Sequence, residues 1–335
     1  MYQEVSQLLM YGDLEENSIL RQMAELFGKY ETGEYNKTGL VRDINTQVKR
    51  ILKVATDYGF DDNLWHNYLT FFLMMSENPF SMTCEKVGAS EGSVNALVEN
   101  DFRIFKALFD YDFGPIERDL GINCFSQISN YKAIHKKDLM YNKNVSEKVR
   151  SLSKKLEAAK DEKEFFDAVT GFYKDYGVGM FGLNKAFRID DTPQGSFTFR
   201  AINNMDTVML DDLVGYEIQK KKLVDNTEAF VQGKKANNVL LFGDSGTGKS
   251  TSIKAIVNQY YKDGLRMIEI YKHQFKYLSE IIADIKNRNY RFIIYMDDLS
   301  FEEFEIEYKF LKAVIEGGVE TKPENILIYA TSNVI

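Results

Sequence analysis

At 335 residues the chain is long enough for two domains, and a hydrophobic fraction of 44% with 24 Phe and 20 Tyr excludes a disordered polymer. The formal charge of −8 is spread evenly: residues 1–200 carry 25 Lys and Arg against 30 Asp and Glu, and residues 201–335 carry 17 against 20. Neither part is therefore a basic domain with a sequence-independent grip on nucleic acid.

Cys84 and Cys124 are far from any disulfide framework, and His66, His135 and His273 are too scattered to suggest zinc. The N-terminus, Met1-Tyr2-Gln3-Glu4, lacks the layout of a signal peptide. Tyr68 to Met75 is the longest apolar run and is too short to span a bilayer, so a cytoplasmic protein with no membrane partner is expected.

From Leu14 to about Tyr176 the pattern is helical. Leu40, Val41, Ile44, Val48, Ile51, Leu52 and Ala55 recur at helical spacing behind the start signal Asn36-Lys37-Thr38. Leu64 to Met75 is apolar nearly all round, which predicts a position at the centre of a bundle. Further helices are expected over 94–109, 145–158 and 162–176. Pro79 to Phe105 reads as helix, turn and helix, loosely like a helix-turn-helix, but its apolar content and poor basicity point to core packing.

Residues 177–212 change character. Gly177, Gly179 and Gly182 break the helix, and the stretches 186–189 and 196–200 alternate like two short strands around the turn chemistry of Asp190-Asp191-Thr192-Pro193-Gln194-Gly195. The expected division is a helical N-terminal domain over 1–176, a linker with a β-hairpin over 177–212, and an α/β domain over 213–335.

After Asp212 strands and helices alternate. Strands are expected at 239–242, 266–271, 292–296 and 326–330, with helices at 249–261, near 277–287 and near 306–316 between them. Buried apolar strands in such a rhythm indicate a parallel sheet covered on both faces.

Gly243-Asp244-Ser245-Gly246-Thr247-Gly248-Lys249-Ser250 fits G-x-x-x-x-G-K-[ST] and lies between a strand and a helix, as a phosphate-binding P-loop must. Glycines let the loop curl so that its N–H groups point at phosphate oxygens. The helix that begins at Lys249 adds the positive end of its dipole, with Thr251 in its first turn. Lys249 reaches the β- and γ-phosphates of ATP, and the Ser250 hydroxyl ligates Mg²⁺.

The apolar strand at 292–296 ends in Asp297-Asp298, 48 residues after Lys249. A carboxylate there sits at the carboxyl edge of the sheet, beside the P-loop. Asp297 is expected to hold Mg²⁺ and Asp298 to orient an attacking water, with Glu302 as the alternative base. The strand at 326–330 runs into Thr331-Ser332-Asn333, where Asn333 is the preferred contact to the γ-phosphate or water and Thr331 the reserve. Ahead of the P-loop, Val214 and Gly215 can pack on the adenine ring. Lys220, Lys221 and Lys222 read as a solvated helix face.

Together, Leu213-Val214-Gly215, the P-loop, Asp297-Asp298 and Thr331-Ser332-Asn333 resemble the AAA+ ATPases in order and spacing. Three stretches look more specifically like the bacterial AAA+ family labelled domain of unknown function 815, near the helicase-loader ATPases: Asp212 to Gly215 running on to Asn226-Thr227-Glu228-Ala229-Phe230, Asp297 to Glu302, and Tyr329 to Asn333. The likeness is specific over about 211–333. It implies an ATPase with sites between the subunits of a homo-oligomer, and a five-stranded core followed by a helical lid. Asp298 stands where such proteins commonly place a glutamate, and the sequence given stops at Val334-Ile335. The resemblance therefore implies that the remaining core strand, the arginine finger and the lid's sensor arginine lie beyond residue 335.

The expectation is an ATP- and ADP-binding module that hydrolyses ATP with Mg²⁺ to remodel or load a protein or nucleoprotein client. A slow nucleotide-dependent switch is the alternative, and a small-molecule P-loop kinase a more distant one. Nothing in 1–200 names a ligand.

Overall fold

Side chains that cap helix ends do much to set the helix boundaries of the first half of the chain. Ser18, Asn36, Asn63 and Asp161 each accept from a backbone N–H three residues on, and Asn78 with Ser81 forms a reciprocal capping box around Pro79. The computed structural model describes residues 1–134, 143–203, 205–299 and 323–333. The predicted helix near 306–316 and Glu302 lie outside the described residues.

The chain divides into two units, Met1–Leu183 and Asn184–Ile335. The first contains α1 (Tyr2–Val5), α2 (Ile19–Thr32), α3 (Lys37–Tyr58), α4 (Leu64–Met75), α5 (Pro79–Val87), α6 (Ser93–Phe109), α7 (Gly114–Leu120), α8 (Cys124–Ser129), α9 (Lys143–Ala158), α10 (Glu162–Tyr176) and α11 (Gly179–Leu183). As its composition predicts, α4 is buried on most of its circumference, against α3, α6, α8, α9 and α11. The surrounding core is aromatic: Phe113 stacks on Phe125 at 4.3 Å, and Phe102 meets Phe80, Phe165 and Phe166. The segment from Pro79 to Phe105 packs inward through Phe80, Val98, Phe102 and Phe105, which is the core role its composition indicates.

The second unit is built on one sheet of β1 (Ala186–Asp191), β2 (Phe197–Ala201), β3 (Val239–Phe242), β4 (Leu265–Glu269), β5 (Arg291–Met296) and β6 (Ile326–Ser332). Their order is β2-β1-β4-β5-β6-β3, with β1 and β2 antiparallel and every other pair parallel. The connecting helices are α12 (Glu217–Val231), α13 (Lys249–Tyr260) and α14 (Leu278–Ile285). β4, β5 and β6 are buried along almost their whole length, as near-continuous apolar strands should be.

The sheet differs from the sequence reading in two main respects. The hairpin of 186–201 forms, but its first strand pairs with β4 (Ala186 beside Met267, Phe187 beside Ile268) and so belongs to the sheet. The division between units falls at 183/184, inside the expected 177–212 linker; turn residues mark a hairpin, whereas a sheet partner 81 residues away leaves no local signal. β4 also ends at Glu269, and Lys272–Tyr277 forms a 3-10 turn before α14. Among the described residues no helix is long and apolar enough to cross a membrane.

Candidate functional site

The loop after β3 is bent by two glycines at φ +80°, Gly246 and Gly248. A Cβ at either would meet nothing within 4 Å, so it is the left-handed backbone and not crowding that demands glycine. Gly248 is the N-cap of α13, which Ile253, Ala255, Ile256 and Val257 anchor in the core below the sheet. The first N–H groups of such a helix have no partner within it, and its dipole makes that end positive.

The Lys249 ammonium lies back on its own loop, donating to the carbonyl oxygens of Gly243 (2.8 Å) and Asp244 (2.7 Å). Thr247 Oγ1 donates to the Asp244 carbonyl at 2.9 Å. Ser252 Oγ is tied to the Gly248 carbonyl, while Thr251 is half-buried on the helix and takes no part in the cavity wall.

A cavity of about 620 Å³ opens beside this loop. Val214, Gly215 and Tyr216 line one side, Ser245 to Lys249 the floor, and the outward face of β3 with Leu240 and Phe242 another. Val214 is 97% exposed, and Leu240 and Phe242 are 54% and 58% exposed, so apolar area is offered there to a flat ring. Lys220 fixes the 213–216 segment by donating to the Leu213 carbonyl at 2.6 Å while pairing with Glu217 at 2.8 Å. Lys220 therefore folds onto this segment, and does not belong to a plain solvated face as its neighbour Lys221 does.

Because β6 lies between β5 and β3, the ends of three strands meet at one edge. Asp297 follows β5 directly, and its Oδ1 accepts from Ser250 Oγ (2.7 Å), Tyr295 OH (2.7 Å) and Thr331 Oγ1 (2.6 Å). Burial pushes the Asp297 carboxyl up, but donation by Thr331, Tyr295 and Ser250 outweighs it and holds the group below its ordinary value. Burial also raises the Tyr295 hydroxyl above its usual range, so it stays protonated and able to donate.

Asp298 takes a left-handed conformation, φ +52°. Its N–H donates to Thr331 Oγ1 at 2.9 Å, and its Oδ1 accepts from Asn333 Nδ2 at 2.8 Å. Three non-glycine residues have positive φ among those described, and two of them, Tyr216 and Asp298, border this site. Strained backbone of that kind persists where surrounding contacts over-determine it, most often at functional sites.

The residues singled out in the sequence thus fall into three groups. Val214 and Gly215 share the cavity with the loop, Ser250 meets Asp297, and Asn333 meets Asp298. Tyr216, Lys220 and Tyr295 carry contacts that the motifs did not indicate. Tyr295 had a signal: it stands two residues before Asp297, hence on the same face of the strand.

Comparison with known proteins adds several likenesses. Residues 183–334 match the family model described as Protein of unknown function (DUF815). A 74-residue stretch is 34% identical to the replication factor C large subunit of Methanococcus vannielii, over 22% of this chain and 15% of that protein. Among solved structures, C. elegans PCH-2 aligns with 17% identity over 38% of this chain and 39% of its own, TM-score 0.29. A Thermotoga maritima RuvB variant aligns with 20% identity over 37% and 41%, TM-score 0.28. The chain thus spans less than half the length of each of these proteins.

Proposed function

We propose, from the match of residues 183–334 to the DUF815 family model and the P-loop within it, that this chain binds ATP with Mg²⁺ and hydrolyses it. One observation carries the reading: Ser250, on the P-loop helix, and Asp297, at the end of β5, are hydrogen-bonded at 2.7 Å. That contact joins a phosphate-binding loop to a carboxylate at the one place where a phosphate-bound cation would lie.

In this reading Lys249 exchanges the Gly243 and Asp244 carbonyls for β- and γ-phosphate oxygens. The backbone N–H groups from Gly243 to Thr251, including those of Asp244 and Ser245, and the positive end of α13 hold the remaining phosphate charge. Val214 and Gly215, with Tyr216, pack on adenine. Ser250 and Asp297 supply hard oxygen donors, a set that suits Mg²⁺, which needs only one or two protein ligands beside phosphate and water. Held there, Mg²⁺ would supply positive charge to offset that of the phosphates. Asp298, steered by Asn333, orients the water that attacks.

The family likeness supports a homo-oligomer with an arginine supplied in trans, worth roughly 10³–10⁵ in rate where it operates, and a protein or nucleoprotein client. The isolated chain should then bind nucleotide far better than it turns it over. A slow switch is the second reading. It is favoured by Asp298, which is one methylene shorter than glutamate and is already held by Asn333.

The test is calorimetric titration of ATP and ADP, with and without Mg²⁺, on this chain and on Lys249→Ala. Micromolar, Mg²⁺-sensitive binding is expected, weakened by roughly 10- to 100-fold or more in the variant, as the loss of hydrogen bonds from a charged donor implies. A folded wild-type chain that binds neither nucleotide would sink the proposal.

A further inference from the structure

Three hydroxyls converge on one oxygen of Asp297, and only one of them belongs to the P-loop. Oδ1 receives Ser250 Oγ, Tyr295 OH and Thr331 Oγ1, all within 2.7 Å, and none of the three lies on Oδ2. A carboxylate oxygen offers about two lone pairs, so Oδ1 is saturated by its own protein. We propose that Tyr295 and Thr331 are positioning residues that pin the Asp297 carboxylate by Oδ1, fixing the rotamer in which it can serve a metal ion and its waters together with Ser250. The proposal rests on reading the site as one for Mg²⁺ and ATP.

Each of the two is built to be immobile. Tyr295 is fully buried, its ring packed in the core formed by the sheet with α12 and α13, so its hydroxyl arrives from beneath the site on a lever that cannot swing. The neighbouring β6 brings Thr331 alongside: the register pairs Met296 with Ala330, and the next step sets Asp297 beside Thr331. The Thr331 side chain is β-branched and 2% exposed; its oxygen accepts the Asp298 N–H while its single hydrogen is donated to Asp297, so both ends of the hydroxyl are engaged.

The consequence is a division of labour. An exposed aspartate at a strand end would sample several rotamers, and ordering it would oppose metal binding. Held by β5 and β6, Asp297 presents a fixed acceptor to the Ser250 hydrogen, which leaves the Ser250 lone pairs for the cation. The hydroxyls of Tyr295 and Thr331 should therefore matter for the Mg²⁺-dependent part of nucleotide affinity and not for the metal-free part, which belongs to the P-loop and the cavity.

The experiment compares the full chain with Tyr295→Phe and Thr331→Val, measuring ATP affinity by calorimetry across a Mg²⁺ series that includes chelator. Both variants should keep the metal-free affinity and need roughly 10- to 100-fold more Mg²⁺ for the same enhancement, the usual effect of losing a partner behind a metal ligand. Thr331→Ser, which keeps the hydroxyl, should restore most of the Mg²⁺ response. Thr331→Val keeps the side-chain shape, so it decides the matter even if Tyr295→Phe folds poorly. Variants that fold and show the wild-type Mg²⁺ response would overturn the inference, leaving the two hydroxyls as ordinary buried polar groups with a satisfied bond. A wild-type chain that binds no nucleotide is a different outcome, and it would overturn the underlying reading of the site along with the inference.

Discussion

The two units treat polar side chains in opposite ways. In the helical unit, Asp101 is fully buried and its carboxylate accepts from the backbone N–H groups of Leu9, Met10 and Tyr11. Glu117 is likewise closed onto the Ser126 N–H and hydroxyl, and Tyr11 bonds to Tyr173, whose hydroxyl donates to the Leu73 carbonyl. In the sheet unit, Lys249, Asp297, Asp298 and Asn333 gather at one open edge, on backbone that includes a left-handed aspartate. A buried carboxylate saturated by nearby N–H groups closes a fold. A carboxylate with one saturated oxygen, at a strand end and bonded to the P-loop through Ser250, is arranged for something outside the fold.

That contrast can be broken by substitutions that should affect one unit's property and not the other's. The largest expected effect is on stability: Phe102→Ala empties a site between Phe80, Phe165 and Phe166 and should cost about 3–5 kcal/mol of the helical unit's stability. Urea unfolding followed with nucleotide titration checks it, and nucleotide affinity should not change below the transition. If affinity fell in parallel, the two properties would not be separable in this chain.

Asp101→Ala should be smaller. It leaves the N–H groups of Leu9, Met10 and Tyr11 without their acceptor, at a cost of about 1–3 kcal/mol, measurable as a shift in urea midpoint. A neutral result would mean that water reaches these groups and that the carboxylate is not the closure proposed above.

The smallest effect concerns pH. Burial holds the His66 imidazole below its ordinary value of 6.5, its ring stacked on Phe109 and one nitrogen bonded to the Phe109 carbonyl at 2.7 Å. The unfolded chain therefore binds a proton more readily than the folded one. This contribution is complete above the ordinary imidazole value and is lost as pH falls through that value toward the lower folded one. Thermal unfolding of the chain from about pH 7.5 to about pH 5.5 should show a falling Tm, and the slope should shrink in His66→Phe. An unchanged slope would place the pH sensitivity elsewhere.

Much of the site was legible beforehand because P-loop chemistry is local. Gly246, Gly248, Lys249 and Ser250 are adjacent in the chain, and the loop they form needs no distant partner. Asp297-Asp298 was legible because an apolar strand running into a carboxylate delivers it to a predictable edge. Tyr295 was legible only as a spacing, two residues before Asp297, since in a buried strand a tyrosine reads as one more large apolar residue until its hydroxyl is seen on Asp297. Lys220 stood in a run of three lysines that share a helix, and only the Leu213 carbonyl distinguishes it from the others.

The sequence by itself determined the helical character of the first unit, the alternation of strand and helix in the second, and the loop that can hold phosphate, because each depends on residues within a few turns of one another. Tertiary structure decided that β6 inserts between β5 and β3, that the hairpin of 186–201 joins the sheet at β4, and that Thr331 and Tyr295 close on one oxygen of Asp297. Strand pairing is set by which faces can be buried together across long stretches of chain, and that choice leaves no period in the sequence to read.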